Sequence, residues 1–362
     1  MPATATTLVS NVTAPVNFVL MRGLLSAARK KCVWFNGTLP GSLEKARGSA
    51  SVKWRRIENL AAATTALSEP SGTVAAFVGR DSVQATITDV TEAMVKYGNY
   101  LITTEEIDLY NVNSKSAQLM DTLGANAGES LNVLMRGAFS AGATSIRYAS
   151  GVAGNSAIAA AITVNDIKYC VNQLNNNSAM TFTPMGTSRD AYNNQPIRAS
   201  YFGICHHDVE EDIRSLTGFI PVEQYGGYTA VEPFEFGAVG GVRWMATEIA
   251  GSDSGGTAGG SFLSDGALRM TDNNIDVYQT FIYGKEAVGS VGLGNMHASN
   301  AYEMYNPVKP PAVELIYHAP GTGGPFDPYN EIGTIAWKAF FAGKVLNSSW
   351  IMQARTAASS LA

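Results

Sequence analysis

The chain of 362 residues is 46% hydrophobic and 15% charged, with 36 glycines and a formal net charge of −5. This apolar content excludes intrinsic disorder, and the length suffices for two or three ordinary domains or for one large body with appendages. The acidic balance excludes a global basic field for gripping DNA or anionic lipid, and the glycine excess favours strands and turns over a helical bundle.

Residues 1–14 carry Thr, Ala, Val and Ser without a period, and Pro15 opens a basic amphipathic helix that reaches Lys31. An acid-free basic helix is also how an organellar transit peptide reads, but here the basic character continues past it. Through Arg56, nine basic residues (Arg22, Arg29, Lys30, Lys31, Lys45, Arg47, Lys53, Arg55 and Arg56) face the single acid Glu44, a net of +8 that leaves −13 for the remainder. The split predicts that the first segment lies against an acidic surface, such as a neighbouring copy, or faces a polyanion. The start lacks a charged segment followed by an apolar one, so no secretory signal is expected, and no run of 18 apolar residues predicts a membrane span.

Val52 and Trp54 alternate with Lys53 and Arg55, and Val83, Ala85 and Ile87 alternate with Gln84, Thr86 and Thr88; both runs have strand period. The aperiodic stretch between them, with Pro70 and Gly72, is long for a connection inside a compact domain and points to a binding loop, lid or insert. A long helix is predicted from Asn113 or Ser114 to about Ser140. Its apolar stripe is Met120, Leu123, Ala127, Leu131, Leu134 and Ala138, and the lightly charged opposite face predicts contact on more than one side. A second helix carries Ile167, Cys170, Val171 and Leu174. Ala199 to Cys205 reads as a buried strand, and Asp208 to Leu216 as a short helix with acids first and Arg214 late. Strands follow at Gly241 to Ile249, Ile275 to Tyr283, Val313 to His318 and Ile332 to Leu346, with a flexible surface loop from Gly251 to Ser261. The pattern is α+β.

Tests for chemistry mostly fail. The phosphate-binding G-x-x-x-x-G-K-[ST] and the dinucleotide G-x-G-x-x-G patterns do not occur, and Gly251-Ser-Asp-Ser-Gly255 places Asp253 where a nucleophilic serine would stand. Cys32, Cys170 and Cys205 are odd in number and far apart, which fits a reducing compartment better than a disulfide framework. Cys205-His206-His207-Asp208 puts four potential ligands in a row, but adjacent strand residues point to opposite faces. Core filling by Cys205 and a turn closed by a histidine beside an Asp208 cap is the favoured reading; no metal, cofactor or catalytic residue is expected. Glu105-Glu106 and Glu210-Glu211 read as solvated helix faces, and His297 and His318 stand alone. Lys53 to Arg56 around Trp54 could form a nucleic-acid patch with a stacking aromatic, but one aromatic is too few, and charges meeting carboxylates on a neighbour are preferred.

The order of segments resembles the major capsid protein of tailed bacteriophages, the Hong Kong 97-type fold, and within it the N4-like family. The resemblance rests on Val52-Lys-Trp-Arg-Arg56 with Ala63-Thr-Thr65, Gln84-Ala-Thr86 leading to Tyr97-Gly-Asn-Tyr100, and Ala127-Gly-Glu-Ser-Leu131. It continues through His207-Asp-Val209 with Ile213-Arg214, Gly240-Gly-Val-Arg-Trp244, Tyr283-Gly-Lys-Glu-Ala287 with Val291, Asp327-Pro328 and Trp337-Lys338. Where the family tends to have His-Pro-Asp, this chain has His206-His-Asp208. The resemblance implies an N-terminal arm over 1–48 and an extended β-hairpin loop over 49–96 that lies across an adjacent subunit. It further implies a peripheral domain over 97–159 and 301–362 with a spine helix at 113–140, and an axial domain over 160–300.

A projecting two-stranded ribbon is marginal in water alone and must lie on something, and head-to-tail contacts between copies close into rings. The expected function is a self-assembling capsid subunit forming hexamers and pentamers of an icosahedral shell in the virion, built in the bacterial host cytoplasm. Packaged double-stranded DNA is expected only in weak, non-specific proximity, with portal and possible decoration or scaffolding proteins as further partners. Arg22, Arg29, Lys30, Lys31, Lys53, Trp54, Arg55, Arg56, Glu69 and Arg80 are the expected intersubunit contacts. The alternatives are an encapsulin-like compartment shell and a metal-dependent enzyme using His206, His207 and Asp208.

Overall fold

The computed structural model describes residues 32–41, 51–58, 60, 62, 64, 85–106, 115–182, 200–224, 234–253, 255–257, 268–271, 274–291, 313–318, 327–329 and 331–360. The first half runs β1 (Leu39–Gly41), β2 (Ser51–Ile57), β3 (Ile87–Ala93), β4 (Val95–Thr104), α1 (Lys115–Gly142), β5 (Ser145–Tyr148) and α2 (Val164–Asn176). Then come β6 (Tyr201–His206), α3 (His207–Arg214), β7 (Ile220–Pro221), β8 (Glu235–Val239), β9 (Val242–Thr247) and β10 (Ser252–Asp253). The remainder is β11 (Met270–Thr271), β12 (Asn274–Ile275), β13 (Val277–Tyr283), β14 (Val288–Val291), β15 (Val313–His318), β16 (Ile332–Phe341), β17 (Gly343–Val345) and β18 (Ile351–Thr356).

The main sheet has the order β5-β18-β13-β6-β9-β8-β7, with β10 added beside β13. β18 pairs in parallel with β5 and antiparallel with β13, so the latest strand in the chain stands inside this sheet. A second sheet, β15-β16-β4, is antiparallel throughout, and β16 and β4 pair over ten residues from Ile332↔Thr104 to Phe341↔Val95. A third, β1-β14-β17, joins the two regions, and β2 with β3 forms a separate hairpin.

Helix α1 is the organising element of the largest core. Met120, Leu123, Ala127, Leu131, Met135 and Phe139 are buried in one stripe that faces Ile335, Trp337 and Phe341 of β16 and Phe281 and Tyr283 of β13. The expected stripe holds as far as Leu131, after which Met135 and Phe139 replace Leu134 and Ala138. Steps of four residues follow the 3.6-residue turn more closely there than the step of three used for Leu134. The opposite face, with Asp121, Glu129 and Val133, is exposed in the single chain. A second core lies under α2 and α3, where Ile167, Cys170, Leu174, Val209 and Ile213 meet Ile282 and Trp244.

Several expectations are corrected. The second strand of the hairpin begins at Ile87, after Ala85 and Thr86, while Val83 and Gln84 lie outside the described residues. The run from Ile332 to Leu346 is two strands, because the chain leaves one sheet at Phe341 and enters another at Gly343. A Cβ on Gly343 would stand 2.8 Å from Met135 Sδ and 2.9 Å from a Phe341 ring carbon, so glycine is what lets this crossing pass under α1. Gly251 to Ser261 is not wholly a loop, since Ser252 and Asp253 pair with Tyr278 and Val277; residues 254 and 258–261 lie outside the described residues. Strands β8 and β18 were not foreseen.

Candidate assembly surfaces

The hairpin has two distinct faces because strand side chains alternate. Val52 and Trp54 point inward and are buried with Val291, Ala342 and Leu346. The Trp54 indole presses on two glycines: a Cβ on Gly41 or Gly289 would lie 2.8 Å from it. Arg56 donates from Nη1 to the carbonyl of Leu346 at 2.9 Å and pairs with Glu58. From the body, Lys344 Nζ reaches Glu92 at 2.7 Å and the carbonyl of Thr91 at 3.2 Å. The base of the hairpin is therefore clamped to its own chain by one aromatic and two cations.

The outward face carries the rows Lys53↔Thr91, Arg55↔Asp89 and Ile57↔Ile87. Lys53 and Arg55 share Asp89, at 2.6 and 2.9 Å. Hydrogen bonds from Arg55 and Lys53 hold the Asp89 carboxyl down at about 2, so it stays ionised throughout mild pH. Two cations on one carboxylate leave this face net positive. Ile57 and Ile87 are 65% and 53% exposed, an uncovered aliphatic pair at the outer end of a two-stranded ribbon. Between hairpin and body lies a crevice of about 290 Å³, with Leu39, Trp54, Arg56, Glu286, Leu346 and Trp350 among its lining.

Of the ten expected contact residues, the structure brings Lys53, Trp54, Arg55 and Arg56 together on this hairpin, and Arg22, Arg29, Lys30, Lys31, Glu69 and Arg80 lie outside the described residues. Within the single chain the carboxylates met by Lys53, Arg55 and Arg56 are Asp89 and Glu58, and Trp54 is 6% exposed. Asp89, Glu92 and Lys344 were missed. The signal for Asp89 was its place beside Val90 in an alternating run, opposite a basic strand.

The histidine cluster is a structural corner. His206 is the N-cap of α3, its Nδ1 accepting from the Asp208 N–H at 3.1 Å, which corrects the assignment of that cap to Asp208. The Asp208 carboxylate instead accepts from the Tyr278 hydroxyl at 2.9 Å and pairs with Arg269 at 3.0 Å. Burial lowers the His206 pKa, opposed by Asp208, which favours the neutral ring whose Nδ1 accepts at the cap. The ring nitrogen also lies 3.1 Å from an Asp208 oxygen. His207 turns outward to Glu210 at 3.1 Å. Cys205 is buried and gives its thiol to the Met245 carbonyl; burial pushes the Cys32 and Cys170 thiols up to about 12. Cys205 and His207 thus turn away from the contacting pair His206 and Asp208. Among the described residues no group of three or more His, Cys, Asp or Glu converges to hold a metal, and no helix is long and apolar enough to cross a membrane.

No protein-family model matches the chain, and no curated protein matches it in sequence. Solved structures do match in fold. A chain from the capsid of Ralstonia phage GP4 is similar with a TM-score of 0.56 and 10% identity, over 86% of this chain and 85% of that one. A chain from the cyanophage Pam1 capsid asymmetric unit gives 0.53 and 10%, over 91% and 93%. The capsid structure of cyanophage P-SCSP1u gives 0.52 and 9%, over 91% and 89%. The mixed α+β architecture of this chain is the fold of these phage capsid structures.

Proposed function

We propose that the chain is the repeating subunit of a phage capsid of Hong Kong 97 type, akin to the N4-like major capsid proteins. In this reading it forms hexamers and pentamers around packaged double-stranded DNA in a virion assembled in the bacterial cytoplasm. It would act without catalysis, beside a portal and any decoration or scaffolding proteins. The observation that carries the reading is the likeness in fold along 91% of this chain and 93% of the Pam1 capsid chain. The hairpin supports it physically. Its inner face is clamped to the body, while its outer face presents two cations and an uncovered Ile57–Ile87 pair. A second copy would cover that surface and offer carboxylates from its own acidic remainder. A net charge of −5 keeps such a shell from gripping DNA tightly.

The test is negative-stain microscopy of the purified protein after expression. Closed shells of uniform diameter are expected, and a monomer that persists at high concentration overturns the proposal. Particles recovered with double-stranded DNA inside support the virion, and enclosed protein cargo would point to an encapsulin-like compartment.

A further inference from the structure

His206 Nδ1 has two neighbours that ask opposite things of it. The Asp208 N–H, 3.1 Å away, needs a lone pair, and Asp208 Oδ2, also 3.1 Å away, needs a proton. A bare ring nitrogen accepts and a protonated one donates, so the atom cannot serve both at once.

The surroundings make Asp208 the shared partner. Its Oδ2 already accepts from the Tyr278 hydroxyl at 2.9 Å, and its Oδ1 takes Arg269 Nη1 at 3.0 Å. The Tyr278 ring lies against the His206 ring, with centroids 5.1 Å apart. Burial and the Asp208 carboxylate push the Tyr278 hydroxyl up, so it keeps its proton and goes on donating. Burial is also the largest influence on His206 and opposes its charge. Asp208 favours the charge, His207 and Arg269 oppose it, and a hydrogen bond to the Glu248 backbone favours it. Cys205 is turned to the Met245 carbonyl, and Glu210 is held by His207 and Arg214.

We propose that a proton taken up by His206 exchanges the cap of α3 for an ion pair. With the ring neutral, Nδ1 accepts from the Asp208 N–H and the helix is capped. With the ring protonated, Nδ1 donates to Asp208 Oδ2, shares that oxygen with Tyr278, and releases the Asp208 N–H. Only hydrogen bonds change, and the proton comes from solvent, to which the His206 side chain is 19% exposed. The Asp208 carboxylate has partners in both states, while its amide is capped in only one. Asp208 ties α3 to β13 through Tyr278 and to the residue before β11 through Arg269. Asp212, later in α3, holds the Ser359 N–H at 2.9 Å. The exchange therefore acts at a joint between helix, sheet and the last described residues. It operates within one chain and does not rest on the shell reading.

The experiment is amide hydrogen exchange, read by mass spectrometry on the full-length protein from about pH 8 to about pH 5. That window stays above the ordinary carboxylate range, and rates are corrected for the intrinsic effect of pH. Fragments covering the start of α3 are expected to lose about fivefold in protection through a one-proton transition, the worth of one cap, while fragments of α2 keep theirs. His206→Asn retains an acceptor without a titrating ring and should show no transition; one equal to the parent's overturns the proposal. A cap without the exchange would titrate independently of Oδ2. Asp208→Asn should instead move the transition to lower pH, and Tyr278→Phe, which removes the rival donor at Oδ2, should move it to higher pH. Tyr278→Phe carries the test even where Asp208→Asn fails to fold, and an unmoved transition in it overturns the exchange.

Discussion

The Trp34 backbone N–H donates to Asn132 Oδ1 at 3.0 Å, with both side chains fully buried. The contact ties the first described segment to the middle of α1, and the Trp34 ring then wedges edge-on against Phe139 at 5.1 Å and Phe281 at 5.4 Å. Helix and main sheet are thus joined through a residue that belongs to neither. Asn132→Ala strands the Trp34 amide and should destabilise by about 1–3 kcal/mol. Trp34→Ala should cost about 3–5 kcal/mol. Urea unfolding midpoints check both, and unchanged midpoints would show the wedge to be idle.

Gly289→Ala should loosen the hairpin from the body. The new methyl would sit 2.8 Å from Trp54 Cε2 and 3.1 Å from Leu346 Cδ2, an overpacking worth about 1–3 kcal/mol. Limited trypsin digestion reads the result at Lys53, Arg55 and Arg56. Cleavage several-fold faster than in the parent is expected, and an equal rate contradicts the clamp.

Asp166 is 1% exposed and its carboxylate accepts from three groups, Arg147 Nε at 3.0 Å, the Ser150 amide at 3.3 Å and the Thr163 hydroxyl at 2.7 Å, while its own N–H donates to the Thr163 cap of α2 at 3.3 Å. Ser150 has φ of 54°, a left-handed conformation that this carboxylate helps to hold. Asp166→Ala leaves Arg147 with the Tyr169 ring but no carboxylate and should destabilise by about 3 kcal/mol. Thr163→Ala should cost about 1 kcal/mol. The double variant should fall short of the sum, since the groups share one network; full additivity in thermal or urea melts would deny the coupling.

Acid should weaken the start of α3. Burial lowers the His206 pKa in the folded chain, so below roughly 6.5 the unfolded chain binds a proton first and stability falls as pH falls. His206→Asn keeps a capping acceptor without a titrating ring. Its urea midpoint should change less between pH 8 and pH 5.5, to be compared directly with the parent. Parallel pH profiles for the two proteins would dismiss the cap as the source.

Deleting Leu60 to Arg80 shortens the connection between β2 and β3 and keeps the two clamped strands. The subunit should remain soluble and fail to form closed particles by negative-stain microscopy and sedimentation. Normal shells from the deletion would contradict the role given to the hairpin.

Elements with one buried face were the most readable in the sequence. The stripe of α1 through Leu131 and the alternation of Val52 and Trp54 each carry a period set by a single apolar side. Helix α3 was legible from its charge order, with Asp208 and Glu210 early and Arg214 late. β18 was not, because it is buried on both faces and so lacks alternation, while Gln353, Arg355 and Thr356 also break the continuous apolar run by which buried β6 was read. The five residues of β8 are buried on both faces for the same reason. The cap of α3 was misassigned because Asp208, the usual capping type, is drawn away by Tyr278 and Arg269 from distant parts of the chain. The clamp on the hairpin was invisible for a like reason: Lys344 and Leu346 stand far from Glu92 and Arg56 in sequence, and only the fold makes them neighbours.

The position of β18 between β5 and β13 has a consequence for timing. The main sheet cannot be completed until residue 356 has been synthesised, roughly 20–70 s after initiation at ribosomal rates of about 5–20 residues per second. Until then the flanking strands have a gap where β18 belongs. If the chain is the shell subunit proposed above, a half-made copy would lack the finished surface for a neighbour, and only complete molecules would enter assembly.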